Sequence, residues 1–442
     1  MKITIDSILT FGGLTRQEEA ALIFQFARRN PDYDRRLRLG LYIRKTPQSI
    51  YPIDYDRSGR LTGSRGLICD VLAKYPAATI QDHTVLAPCP FPTFTGVLRD
   101  YQEEATAAML GHLQGILQAA TGAGKTTMAL YIASQLQQKS LILCHRQNLL
   151  SQWRNECRHF LGFDPCIICG GLKQDSGAPL HIGMVQTIQR MPDEYLQQFG
   201  LLIIDETHHT PANQFLSAVN RCPARYRFGL SATPYRIDGL DFLIEAGCGP
   251  IWHKVESTDL FQAGQLARPI VHFVKTGSAP PEETDFGSII EHLSNDPDRN
   301  RLLGDLLTNS AEQGRPTLLL CERILHAKTL GNMTGAEVLT GETRQDTRDA
   351  TLEEFTSGKI RKLISTVSLM GEGSNIPCIE ALILGSPFRS KAKALQIVGR
   401  ACRQVPGKRS PVVFDFIDAH GLLYSQAASR RAAYREAGYE IK

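Results

Sequence analysis

Ala119-Ala120-Thr121-Gly122-Ala123-Gly124-Lys125-Thr126 lies between a short apolar run, Gly115-Ile116-Leu117-Gln118, and a helical pattern, Thr127-Met128-Ala129-Leu130-Tyr131-Ile132-Ala133. Strand, glycine loop and helix in that order form a phosphate cradle. Gly122 and Gly124 let backbone N–H groups turn inward onto phosphate oxygens. Lys125 reaches the outer phosphates, and the Thr126 hydroxyl is placed to ligate Mg²⁺. The helix N-terminus adds partial positive charge. The plain alternative is a glycine turn that happens to precede Lys-Thr, and the flanking elements argue against it.

A second element completes the chemistry. Leu201-Leu202-Ile203-Ile204-Asp205-Glu206-Thr207-His208 is an apolar strand ending in two carboxylates. A carboxylate at the C-terminal end of a parallel strand faces the crevice that the cradle opens onto. Asp205 is suited to hold Mg²⁺ through water, and Glu206 to orient and polarise an attacking water. Alone, Asp-Glu after a strand is an ordinary helix cap. After a cradle in the same domain, the catalytic reading is preferred.

The 442 residues exceed one ordinary core, so two or three domains are expected. Hydrophobic content of 42% with 21% charged residues is that of a globular protein, and a net charge of +4 does not by itself announce a nucleic-acid partner. Eleven scattered cysteines with no secretory segment suggest free thiols in a reducing compartment. No apolar run approaches membrane-spanning length, so no membrane association is expected. Cys166 and Cys169 form the single CxxC. Without a second ligand pair nearby, they read as small buried strand residues, with a redox pair as the alternative.

Residues 1–93 read as a small α+β accessory domain. An amphipathic helix opens at Leu14-Thr15-Arg16 and runs to about Arg29. Alternation in Leu37-Arg38-Leu39-Gly40-Leu41-Tyr42-Ile43-Arg44 predicts a strand with one charged face. Its arginine–tyrosine mixture fits phosphate contacts with base or sugar stacking, and an ordinary accessory domain with a charged solvent face stands as the alternative. Pro88, Pro90 and Pro92 mark a linker. Apolar runs at 140–144, 181–185, 201–204 and 227–230 alternate with helical patterns and predict a parallel sheet over 94–258. Pro280-Pro281-Glu282-Glu283 reads as a second linker. Runs at 317–320, 362–365, 381–384 and 412–414 predict a second parallel α/β domain over 259–424, followed by a basic helix in 425–442 carrying Arg430, Arg431 and Arg435.

Asp205-Glu206-Thr207-His208 resembles the DExH box of the superfamily 2 helicases, and further motifs of that superfamily follow in register. Leu98-Arg99-Asp100-Tyr101-Gln102 resembles the element in which Gln reads adenine. Leu143-Cys144-His145-Arg146-Gln147 resembles motif Ia, and Met184-Val185-Gln186-Thr187 a further strand contact. Ser231-Ala232-Thr233-Pro234 matches motif III. Leu318-Leu319-Leu320-Cys321 with His326 resembles motif IV. Ile364-Ser365-Thr366 through Gly371-Glu372-Gly373-Ser374-Asn375-Ile376-Pro377 resembles motif V. Gln396-Ile397-Val398-Gly399-Arg400-Ala401-Cys402-Arg403 resembles motif VI, QxxGRxxR. The cradle's opening Ala119 fits as well, since the helicase form of this loop reads AxxGxGKT. Asn375 stands where the family usually has Asp. The whole chain resembles the XPB-like and UvsW-like branch.

The resemblance implies two tandem RecA-like parallel-sheet domains behind a small N-terminal α+β domain. It implies catalysis by Lys125, Asp205, Glu206, His208, Gln396, Arg400 and Arg403. Nucleotide binding falls to Gln102, to the loop from Thr121 through Gly122, Ala123, Gly124, Lys125, Thr126 and Thr127, and to Gly373. Thr126 and Asp205 would hold Mg²⁺. His145, Arg146, Gln186, Thr187 and Thr366 would contact nucleic acid, and Ser231 and Thr233 would couple hydrolysis to strand movement. ATP and Mg²⁺ are the implied cofactors, and DNA, as branched duplex or RNA–DNA hybrid, is the implied partner. The expected activity is that of a monomeric motor in the cytoplasm, the host's if the chain is phage-encoded. It would act in fork regression, branch migration or hybrid unwinding. A duplex-translocating subunit of a restriction or defence complex, and an ATP-switched clamp, are the alternatives.

Overall fold

The computed structural model describes the chain apart from residues 45, 171, 174–176, 207–211, 233–238, 282–284, 371–375 and 389, and the side chains of 148, 172–173 and 212–215. It divides into two compact units: Met1–Ala119 with Ala123–Val255, and Glu256–Lys442 with the short segment Ala120–Gly122.

Within the first unit the larger sheet has eight strands. From one edge they are Leu172–Lys173, Cys166–Cys169, Leu180–Met184, Ser140–Cys144, Leu201–Asp205, Tyr226–Ser231, Gln114–Ala119 and Ile251–Val255. All pairings are parallel except the first. Ser140–Cys144 and Leu201–Asp205 are buried along their whole length, as expected for strands covered on both faces. The four runs predicted here from apolar continuity are all strands. Cys166 and Cys169 share one strand at an odd spacing, so their side chains leave opposite faces. Cys166 packs into the core, and all eleven cysteines are free thiols.

The N-terminal residues form a five-stranded sheet ordered Ile53–Tyr55, Leu61–Ser64, Ile8–Gly12, Lys2–Ile5, Thr79–Asp82. Helix Arg16–Phe26 covers it with Leu22 and Phe26, against Ile3, Leu9, Phe11 and Ile53. Thr15 and Glu18 cap that helix reciprocally. It ends three residues before the expected Arg29, because Arg28–Arg29 pairs instead with Ser49–Ile50. The strand predicted over 37–44 is also corrected, since Pro31–Arg38 is a helix. Asn30 accepts from the Asp32 N–H at 3.1 Å, Pro31 takes the first helical position, and Asp32 pairs with Arg35 and Arg36 one turn on. Capping and i,i+3/i,i+4 ion pairs outweigh a short alternation.

Two buried guanidiniums fasten this small sheet to the larger one. Arg65 donates through Nε to Gln114 Oε1 at 3.0 Å and through Nη1 to Ala224 O at 2.6 Å. Arg227 donates to Ser7 O at 2.9 Å and to Gly247 O at 3.0 Å. Neither has a carboxylate partner in these bonds, and burial lowers both pKa values. Gly66 is equally tied to the contact: a Cβ there would fall 2.1 Å from Glu245 O. The N-terminal sheet and the larger sheet therefore share buried polar groups that neither satisfies alone.

In the second unit seven parallel strands are ordered Glu337–Leu339, Lys362–Thr366, Thr317–Cys321, Ala381–Leu384, Val412–Ile417, Ile270–Lys275, Glu440–Ile441. Ile270–Lys275 lies between two strands from the far C-terminal stretch, so the Pro280–Pro281 segment falls inside this unit and does not separate two domains. The last helix spans Gly421–Glu436 and is not a wholly basic surface element. Arg430 is 2% exposed and clamps Asp415 of the sheet.

Candidate active site

Parallel strands bring all their C-terminal ends to one edge, and most of the sequence-predicted residues described in the first unit gather there. The cradle follows Gln114–Ala119, Asp205 and Glu206 end and follow Leu201–Asp205, and Ser231 ends the strand between them. His145 and Arg146 follow Ser140–Cys144, while Gln186 and Thr187 lie in the short helix after Leu180–Met184.

Gly122 (φ 91°) and Gly124 (φ 81°) take left-handed conformations, which side chains other than glycine rarely adopt. Gly124 caps helix Lys125–Leu136. A Cβ at Gly124 would stand 2.5 Å from Gln102 Nε2. Gln102 is buried and braces the loop: Nε2 donates to Ala123 O at 2.9 Å, while Oε1 accepts from the Arg99 N–H at 3.1 Å. Tyr101 adds a bond from its hydroxyl to Ala123 O at 3.1 Å, a support not foreseen from the sequence. Thr126 and Thr127 occupy the first helical turn, half-buried.

Lys125 Nζ lies 3.3 Å from Ala119 O and 3.7 Å from Glu206 Oε1, with the two side chains only 11% and 17% exposed. Glu206 has φ 48°, one of two non-glycine residues with positive φ among those described. A carboxylate held in a disfavoured backbone conformation at the mouth of a cradle fits a site whose geometry is set by the surrounding fold. Asp205 is buried, and the Trp153 indole donates to its Oδ2 at 2.8 Å. Burial raises the Asp205 pKa, and the Glu206 charge raises it further. The Trp153 bond, Lys125 and His145 act in the opposite direction. A divalent cation would relieve that cost. Among the described residues no cluster of three or more His, Cys, Asp or Glu forms a metal cage. Mg²⁺ needs none, since it binds through one or two carboxylates, a hydroxyl, phosphates and water. Gly122, Gly124, Thr126 and Asp205 thus fit a Mg²⁺–nucleotide. Trp153 escaped the sequence reading because its signal is only an indole in the helix after motif Ia.

The second unit carries motif VI on helix Lys391–Ala401, capped by Ser390. Gln396 is buried, and Arg400 donates through Nη1 to Met370 O at 3.2 Å. The helix closes at Ala401, and Arg403 lies one tight turn beyond, its N–H 3.4 Å from Arg400 O. Arg403 also pairs by backbone with Leu266. Thr366 is 1% exposed, and its Oγ1 accepts from Ser368 at 3.3 Å, so its neighbours form the surface there. His326 is a core residue: Nε2 meets Asn300 Oδ1 at 2.8 Å, and burial pushes its pKa down to about 4. His208, Thr233, Gly373 and Asn375 lie outside the described residues.

Two family models match the chain: "Type III restriction enzyme, res subunit" over residues 95–236, and "Helicase conserved C-terminal domain" over 298–404. Three curated relatives extend further. A protein named as a probable helicase of Escherichia phage T5 is 28% identical over 90% of this chain and 89% of its own length. The DNA 3'-5' translocase XPB2 of Sulfurisphaera tokodaii is 27% identical over 73% of this chain and 83% of its own. The ATP-dependent DNA helicase uvsW of Enterobacteria phage T4 is 24% identical over 77% and 72%. The chain is a superfamily 2 helicase of the XPB- and UvsW-like branch. As such it is an ATP-hydrolysing enzyme, and its two parallel sheets are the tandem RecA-like folds of a helicase.

Proposed function

We propose that this helicase uses ATP and Mg²⁺ to move on and remodel branched DNA or RNA–DNA hybrids. The observation that carries the catalytic part is the Lys125–Glu206 pair at the cradle, beside a buried Asp205 oriented by an indole. In this reading Lys125 and the loop from Thr121 to Thr127 hold the phosphates, and Gln102 keeps the loop in shape. Thr126 and Asp205 hold Mg²⁺, whose charge offsets that of the phosphates. Glu206 orients the attacking water, while Arg400 and Arg403 meet charge developing on the transferred phosphoryl group. His145, Arg146, Gln186 and Thr187 line the sheet edge that would track a backbone, with contacts mainly to phosphates. His208, Gln396, Gly373, Ser231 and Thr233 keep the roles that the family resemblance gives them.

Action on DNA is supported by the uvsW relative, named as an ATP-dependent DNA helicase, and motion along DNA by the XPB2 translocase, while the preference for branched or hybrid substrates comes from the family resemblance. The restriction-subunit match favours one rival, a motor that translocates on duplex without separating strands. A panel of labelled forks, Holliday junctions, R-loops and plain duplexes, scored for ATP-dependent strand displacement, decides between them. Displacement confined to branched or hybrid substrates supports the proposal. DNA-stimulated ATP turnover with no displacement on any of them favours the duplex translocase.

The N-terminal segment is proposed to grip duplex, through the exposed Tyr42 and Arg44 in the stretch between helix Pro31–Arg38 and strand Ser49–Ile50. Deleting the sheet is a poor test, because Arg227 would lose Ser7 O and Gln114 would lose Arg65. Tyr42→Ala with Arg44→Ala leaves those bonds intact. It is expected to weaken fork binding about 10-fold at low salt, from one lost stack and one lost phosphate contact, with basal ATP turnover unchanged. Fork affinity equal to wild type in a titration by fluorescence anisotropy would return the segment to an accessory role.

A further inference from the structure

Lys408, outside every recognised motif, joins two segments of the second unit's site. Its Nζ donates to Pro377 O at 2.6 Å, Ala401 O at 2.6 Å and Arg403 O at 2.8 Å. An ammonium has three N–H donors, so all are committed. Ala401 and Arg403 supply carbonyls at the end of the motif VI helix, where backbone acceptors lack intrahelical partners and a cation is favoured. Pro377 O closes motif V, where the chain leaves it. Within motif V, just before Gly371, Met370 O accepts from Arg400. Met370 and Pro377, which stand on either side of residues 371–376 of motif V in sequence, are thus each held by a cation from the motif VI side.

We propose that Lys408 is a positioning residue for ATP hydrolysis: its three bonds hold the turn bearing Arg400 and Arg403 against the chain leaving motif V, so that both guanidiniums are presented in fixed register. The inference rests on Arg400 and Arg403 acting on the γ-phosphate, as proposed above.

Lys408's surroundings favour a geometric role over simple charge pairing. Glu380, the carboxylate beside it, is engaged by Arg409 Nε at 2.6 Å. Burial lowers the Lys408 pKa to about 8. The other groups facing Lys408 are the thiols of Cys402 and Cys378 and the guanidinium of Arg403. Burial pushes Cys402 up to about 12 and raises Cys378. Among these groups Lys408 is the one that changes charge near pH 8. Loss of its proton removes one of the three donors.

The test is steady-state ATP turnover of the full chain at saturating DNA. Lys408→Met keeps the stem and removes the donors. It is expected to lower kcat about 10–100-fold while KM for ATP stays within about threefold, the result of misplaced groups. In an Arg403→Ala background the same change should add little, because both act on one element. Unchanged kcat in Lys408→Met overturns the proposal. So does a loss that falls equally on kcat and KM and follows a drop in melting temperature. If Lys408→Met does not fold, the wild-type pH profile decides. A kcat that falls above about pH 8 at constant KM supports positioning, and a flat kcat to about pH 9.5 overturns it. Failure of the underlying reading is separate: Arg400→Ala and Arg403→Ala would then both hydrolyse at the wild-type rate.

Discussion

Glu206→Gln is expected to bind Mg²⁺–ATP within about threefold of wild type and to hydrolyse it about 10²–10⁴-fold more slowly, the range seen when a positioned general base is removed. The substitution keeps side-chain volume and the strained backbone position, and removes the charge beside Lys125 and Asp205. Two consequences favour retained binding. Lys125 loses a competing carboxylate 3.7 Å away, which leaves its ammonium to the phosphates. Asp205 loses the neighbouring charge that helps raise its pKa, so it ionises more readily and remains able to hold a cation. What the variant lacks is a group to take the proton of the attacking water. Equilibrium binding of labelled ATP together with single-turnover hydrolysis separates the two steps. Hydrolysis at the wild-type rate would show that another residue orients the water. Weak binding with normal turnover would show that Glu206 serves the cradle and not the chemistry.

The second large effect is on stability. Arg430→Met should destabilise the second unit by about 3–5 kcal/mol, the cost of leaving one buried charge without its partner. Arg430 donates to Asp415 Oδ2 at 2.8 Å and Oδ1 at 2.7 Å, and to Phe388 O at 3.0 Å, with both side chains 2% exposed. Tyr434 adds a bond to Asp415 Oδ2 at 3.1 Å and would remain as the carboxylate's one support among the bonds described here. Whole domains are stable by only about 5–15 kcal/mol, so the variant should show a sharply lower midpoint in urea. Replacing both partners, Arg430→Met with Asp415→Leu, should recover most of the loss, because no unpaired charge is then buried. A single variant that unfolds within about 0.5 kcal/mol of wild type would mean that the pair is solvated in solution. The helix carrying Arg430 looks basic by composition, yet its central arginine serves the interior.

The same contrast runs through the chain. Apolar strands were legible because burial on both faces leaves an unbroken hydrophobic run: Ser140–Cys144 and Ala381–Leu384 stand at their predicted residues. The strand Ile270–Lys275 was hidden, since its partners come from Val412–Ile417 and Glu440–Ile441 and no local pattern announces so distant a pairing. The strand expected over 37–44 failed at its start because Pro31–Arg38 is a helix stabilised by a cap and ion pairs, which alternation counts overlook. Trp153 and Lys408 were missed for a related reason. An indole N–H or an ammonium gains meaning only from the acceptor it finds, and both acceptors lie far away in sequence or on the backbone.

The sequence by itself determined the buried apolar strands at the centre of each parallel sheet, the glycine cradle, the paired carboxylates and the QxxGRxxR motif, since each depends on residue types within a few positions of one another. Tertiary structure alone decided which charged residues are buried. It assigned Arg65 and Arg227 to fastening the N-terminal sheet, Arg430 to the core, and Lys408 to the turn after motif VI. The physical reason is that the free energy of a charge depends on its solvent and its partners. Both are set by chain segments that the residue's own neighbourhood does not contain.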